Sequence, residues 1–451
     1  MPLRKHLIAA ALMISTSVPG WAATYYIAPQ GSNISATANG SQASPWGSIG
    51  SALKVVKGGD TLLLMDGLHG GIKLYNATFD APVTIRSMNG KKARVEWIFL
   101  QGTTRNFVFR DLSIWPSNLA AVERRMLIET SSEVSDVTFD SLDIRSSADA
   151  ASYPSWTLEQ WNTRNLNGVF ARGPRTQVTN SQVTGIGFGI QVLGNDSLIA
   201  NNSISGFAGD ALRALGQKNI VRNNTVTDCV QINGNHADGF QSWKQAISVD
   251  GLVLDGNKIL EWSNSKISPL RCKLQGIGLF DGPYDNLIIQ NNVVSVSATA
   301  YHGISVYGAR KAKIVNNTVV AASGNPSQSP WLGIFANKNG TPSTDVMVAN
   351  NIAMRFLGTS NTTNRVASVS NTVITYPATV FSDVKSFNYV PKATSGYIDT
   401  ANMLYAPKTD IMGAPRPYGK GPDRGAFEVG SSTTTTTSGT TTTSAKFLAA
   451  P

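Results

Sequence analysis

Cysteine is almost absent from this chain: two residues in 451, Cys229 and Cys272, too few for a small disulfide-stapled scaffold. Charged residues make up only 15% against 41% hydrophobic, which excludes a wholly disordered polyelectrolyte, and the 41 Gly and 20 Pro are too few for a collagen-like fibre. No apolar run approaches the roughly 20 residues of a membrane span. The longest is Leu7 to Met13, which follows Arg4 and Lys5 and ends in the small residues Gly20, Ala22 and Ala23. That arrangement predicts a secretory signal peptide over residues 1–23 and a secreted or periplasmic product. Without Arg4 and Lys5 the formal charge falls from +10 to +8, so the exported protein stays basic and suits a polyanionic partner.

Residues 430–451 are mostly Thr, Ser and Gly, and read as a disordered tail. In an oxidising compartment Cys229 and Cys272 are expected to pair as a structural disulfide.

Between these ends a short motif recurs: two alternating apolar residues, an Asn or small residue, and another apolar one. Copies stand at Val137–Ile144, Ile199–Ile204, Val221–Val226, Ile289–Val294 and Val348–Ile352. Period two with β-branched enrichment predicts strands. The recurring Asn falls at Asn202, Asn224, Asn257, Asn292, Asn317 and Asn351, in steps of 22 to 35 residues, about one solenoid coil with loops of varying length. An amide at a tight bend satisfies backbone groups and bonds the same amide one coil away, so the column marks the fold and not a substrate site. Residues 24–429 are therefore expected to form one all-β domain, a parallel β-helix.

The opening segment, Tyr25-Tyr26-Ile27-Ala28-Pro29 through Pro45-Trp46 and the amphipathic stretch Ser48–Val56 to Gly59-Asp60, resembles that of right-handed β-helix proteins of the pectate-lyase-like superfamily. The resemblance covers about residues 25 to 360 and implies a short helix capping the first coil.

A second strand follows each Asn. Its outward positions are expected to form a column Asn167, Phe188, Asp210, Asp238, Gln275, His302, Leu332, flanked by Gln191, Arg213, Gln241 and Ser305 and then by Trp243, Phe280 and Tyr307. Two carboxylates on neighbouring rungs raise a pKa or collect a cation. Asp210, Asp238, His302 and Arg213 are the candidate catalytic residues. His236, Gln241, Trp243, Arg271, Lys273 and Tyr307 are the candidate substrate contacts, with Trp262 and Lys266 in the walls. The expected substrate is an acidic, uronate-containing polysaccharide, bound by a monomer without nucleic acid. Either no cofactor is needed or Asp210 and Asp238 hold Ca²⁺.

Elimination, as in lyases on this fold, needs a cation to neutralise the uronate carboxylate, a base and an acid. Arg213, Arg271 or Lys273 can supply the first, and His302, His236 or a Lys the second. The alternative is an inverting hydrolase using Asp210 and Asp238. Asp238-Gly239-Phe240 and His302-Gly303-Ile304-Ser305 resemble motifs of polygalacturonase-like hydrolases, but that family's Asp-Asp pair is absent and Gln275 stands on its rung. A C5-epimerase, without the Asp-Pro-His signature of mannuronan epimerases, and a non-catalytic glycan-binding solenoid complete the set.

Overall fold

The computed structural model describes residues 22–122, 125–243, 247–297, 301–321 and 329–430. The leader up to residue 21 and the tail from residue 431 lie outside the described residues. No helix among those described is long and apolar enough to cross a membrane.

Three long parallel sheets of fifteen, eleven and twelve strands run the length of the chain. Each coil visits them in turn, as in Asn167–Ala171, Gln177–Thr179 and Gln182–Ile186. The eleven-stranded sheet, from Ile72–Tyr75 to Arg355–Leu357, carries the candidate site. Its inward residues stack in register as Val169, Ile190, Leu212, Phe240, Ile277, Ile304 and Leu332, all essentially inaccessible. Each such side chain contributes about 1.5–3 kcal/mol through removal from water.

The Asn doublets divide two tasks between them. Asn201, Asn223, Asn291, Asn316 and Asn350, with Gly256 in the same place, take left-handed φ between 53° and 67°, which turns the chain from one sheet to the next. The following Asn points inward and donates from Nδ2 to Oδ1 of its counterpart on the next coil, at 2.9–3.0 Å from Asn202 through Asn224, Asn257, Asn292 and Asn317 to Asn351. The column continues one coil beyond the sequence motif, since Asn351 donates to Asn371 Oδ1 at 2.9 Å. There Ser370, with φ 53°, replaces the first Asn of the doublet.

At the other end, Ser48 caps the four-residue helix Ile49–Ala52, and Trp46, Ala52 and Val56 close the apolar interior. Asp60 holds the corner by accepting from Ala23 N at 2.7 Å and Lys57 N at 2.8 Å. A second apolar cluster lies where the C-terminal segment folds back: Val293, Val320 and Ile352 of the twelve-stranded sheet pack with Val380, Phe381, Tyr389 and Phe427.

Candidate active site

On the eleven-stranded sheet the strands Leu212–Ala214, Asp238–Trp243, Gln275–Asp281, His302–Tyr307 and Trp331–Phe335 lie side by side. These strands and the loops beside them present His236, Gln241, Ser242, Trp243, Gln275, Phe280, Asp281, His302, Tyr307 and Lys338 to one groove of about 600 Å³. Asp238 pairs with Gln275, as the sequence column requires. The last rung differs. A register shift at His302 places Trp331 opposite it, while Leu332 pairs with Ile304 and is buried in the core. The expected outward position of Leu332 is therefore corrected: the bulge gives it to Trp331, a shift that a repeat pattern does not show.

Asp210 and Asp238 stand on adjacent coils, and Asp210 Oδ1 accepts from Asp238 N at 3.0 Å. Both lie beneath the groove instead of lining it, at 1% and 0% exposure. Asp210 Oδ2 receives Arg213 Nε at 2.6 Å. Burial pushes its carboxyl upward, against the pull of Arg213. Arg213 also donates to Gln191 Oε1 at 2.9 Å, and its guanidinium sits 4.2 Å from the Phe188 ring centroid and 5.1 Å from that of Trp243. Arg213, expected as a candidate for the neutralising cation, is thus ion-paired to Asp210 and lies between the Phe188 and Trp243 rings.

Asp238 Oδ2 faces His236 Nδ1 at 3.1 Å and accepts from Gln241 Nε2 at 3.2 Å, whereas the buried Oδ1 has no partner. Burial pushes Asp238 up to about 7, and the hydrogen bond to Asp238 raises His236 above the ordinary imidazole value. The two groups are in hydrogen-bond contact, so their proton equilibria are linked.

Across the groove His302 is shifted the other way, downward, first by burial and then by the positive potential of His236. Its Nδ1 lies 3.0 Å from Ser305 Oγ, which accepts from Trp331 Nε1 at 2.9 Å. Phe280 and Trp331 meet the imidazole edge-on, with ring centroids 5.5 and 4.8 Å away. Tyr307 stacks on Phe335 at 4.7 Å, and burial raises its phenol pKa.

The remaining sequence candidates fall elsewhere. Arg271 is held by Glu261 Oε1 at 2.7 and 3.0 Å and does not line the groove. Lys273 is exposed and also outside the lining. Trp262, expected as a stacking wall, is buried with Tyr153 and Val230 and donates to Asn264 O at 3.0 Å. Lys266 bonds Ser155. Cys229 and Cys272 form a disulfide with Cα atoms 5.4 Å apart. Three lining residues carried no sequence signal as site members: Ser242, and Asp281 and Lys338, which are ion-paired at 2.9 Å; Trp331, packed against His302, carried none either.

The donor set does not fit Ca²⁺, which takes six to eight oxygen ligands. Asp210 is engaged by Arg213, Asp238 is engaged by His236 and Gln241, and no group of three or more His, Cys, Asp or Glu side chains that could hold a metal ion occurs among the described residues.

Residues 167–352 match the family described as right handed beta helix region. No curated protein matches the chain. Among solved structures it is similar to a pectate lyase, at 16% identity and TM-score 0.40 over 90% of this chain and 96% of that one. A rhamnogalacturonan lyase matches at 13% identity and TM-score 0.43, over 78% and 87% of the two chains. The A-module of a mannuronan C-5 epimerase from Azotobacter vinelandii matches at 14% and 0.42, over 72% and 92%. The three parallel sheets and the match to the right handed beta helix family give the chain a right-handed parallel β-helix fold.

Proposed function

We propose that this protein is an exported polysaccharide lyase that cleaves a uronate-containing polymer by β-elimination. The observation that carries this is the pair of histidines in one groove whose environments push them apart, His302 toward the neutral imidazole and His236 toward the protonated one. Elimination needs these two states together. His236, protonated against Asp238, offers positive charge to the substrate carboxylate and so acidifies the neighbouring C–H. His302 takes that proton. In the tautomer this requires, Nδ1–H donates to Ser305 Oγ, leaving the Nε2 lone pair to act as base. The Tyr307 hydroxyl, kept protonated by its raised pKa, gives a proton to the departing glycosidic oxygen. Trp243, Phe280 and Tyr307 supply apolar faces for sugar rings.

Hydrolysis by Asp210 and Asp238 is less well served, because Asp210 is ion-paired below the groove floor and cannot activate a water there. The deciding experiment is digestion of a panel of uronate polymers with two simultaneous readouts. Ultraviolet absorbance of an unsaturated sugar end together with new reducing ends is the expected result. Reducing ends alone would mean hydrolysis, and neither signal across the panel would overturn the assignment as a depolymerase.

A further inference from the structure

Phe280 lines the groove beside His302. It lies two residues after Gly278, and a Cβ on Gly278 would overlap the Phe280 ring edge and come within 2.8 Å of Asp238 Oδ1. The ring and the unpartnered carboxylate oxygen therefore meet over the same glycine, in the space a side chain would otherwise fill. The same ring contacts His302 edge-on and Tyr307 at a centroid distance of 5.7 Å. One side chain thus touches the surroundings of both proton-carrying ends of the groove.

We propose that Phe280, seated on Gly278, is a positioning residue that walls His302 on one side and seals Asp238 Oδ1 from water on the other. Its catalytic consequence rests on the lyase assignment, but its effect on His302 does not. Other groups also act on that imidazole. Ser305 and Tyr307 share its strand, and Asp281 stands on the neighbouring one. Asp238, His236 and Lys338 surround the same groove, and Arg355 lies 5.8 Å from the Trp331 ring. Removing Phe280 leaves these groups in place and admits water, which favours the charged imidazole. A better-hydrated, more fully ionised Asp238 acts in the same direction.

The test is an NMR pH titration of the histidine C–H signals, with His302 assigned by loss of its signal in His302→Ala; the chain has only four His. Phe280→Ala should raise the His302 midpoint by about half a pH unit or more, and Phe280→Leu should leave it near the wild-type value. Gly278→Ala displaces the ring from the opposite side and should shift the midpoint in the same direction, which keeps the test available if Phe280→Ala does not fold by circular dichroism. An unmoved midpoint in the folded Ala variants, or an equal shift in Phe280→Leu, would overturn the proposal. If the midpoint rises while the acid limb of the activity profile stays put, the wall stands and the assignment of His302 as base fails.

Discussion

Asp238 gives one carboxylate oxygen to His236 at 3.1 Å and leaves the other buried without a partner. Such a half-satisfied carboxyl is costly unless it holds a proton or a neighbour supplies charge, and the structure provides both routes in one pair. His302 lies across the same groove, has no carboxylate hydrogen-bonded to it among the described residues, and has its pKa lowered first by burial. The opposed shifts therefore trace to a carboxylate partner at His236 and to burial at His302.

A bell-shaped activity profile follows. Under the proposed elimination His302 must be neutral, so the rate rises as pH increases through its lowered pKa. His236 must be protonated, so the rate falls as pH increases through its raised pKa. The optimum should lie between the two, with the acid limb below the ordinary imidazole value of about 6.5 and the alkaline limb above it. An initial-rate profile with both limbs on the same side of that value would contradict the pairing.

The amide column makes a separable prediction about stability. Asn292 donates to Leu254 O and to Asn317 Oδ1 and accepts from Asn257, all in the buried interior. Asn292→Ala strands several of these groups at about 1–3 kcal/mol each, so a loss of about 3 kcal/mol or more is expected. Asn371, at the half-buried end of the column, should cost only about 1 kcal/mol when truncated. Chemical denaturation of both variants would check the gradient, and equal losses would argue against an interior ladder.

The solenoid was legible because its cause repeats: each coil must bend left-handed at one residue and satisfy its backbone at the next, so Asn-Asn recurs. Asn371 escaped detection because Ser370 can make the same bend. The site was legible in its parts and not in its wiring. Strand alternation found Asp210, Asp238, His302 and Trp243, but alternation says nothing about which cation pairs with which carboxylate. Arg213 and Arg271 looked free for substrate and are instead taken by Asp210 and Glu261. Trp331 was hidden by the bulge at His302. Lys338 follows the last strand of the groove in a loop that no repeat register reaches.

The Cys229–Cys272 bond, with its sequence separation of 43 residues, closes the segment that contains the Asp238 strand. A loop of this length constrains the unfolded chain by about 4 kcal/mol in the chain-entropy view. Cys229→Ala with Cys272→Ala should lower stability by about 2–4 kcal/mol, read from denaturant midpoints with and without reductant. Reductant should shift the wild type and leave the double variant unmoved; a shift in both would mean that the bond is not what the reductant acts on.

Asp210→Asn and Asp238→Asn should fail in different ways. Asp210→Asn breaks an ion pair that holds Arg213 between Phe188 and Trp243, and breaking such a buried pair costs about 3–5 kcal/mol. Activity should then fall along with stability. Asp238→Asn removes a carboxyl whose pKa burial has raised to about 7. A raised carboxyl pKa means that its stabilising contribution is complete below the unfolded value and lost as pH rises through about 7. The amide carries no such loss, so above pH 7 the variant should hold its stability better than the wild type. His236, without its acceptor, should titrate lower, drawing the alkaline limb of activity to lower pH and reducing the rate at neutrality by about 10²–10⁴-fold. Thermal melts at acid and alkaline pH beside rate profiles separate the two. An Asp238→Asn enzyme with wild-type rate and an unmoved alkaline limb would remove Asp238 from the chemistry.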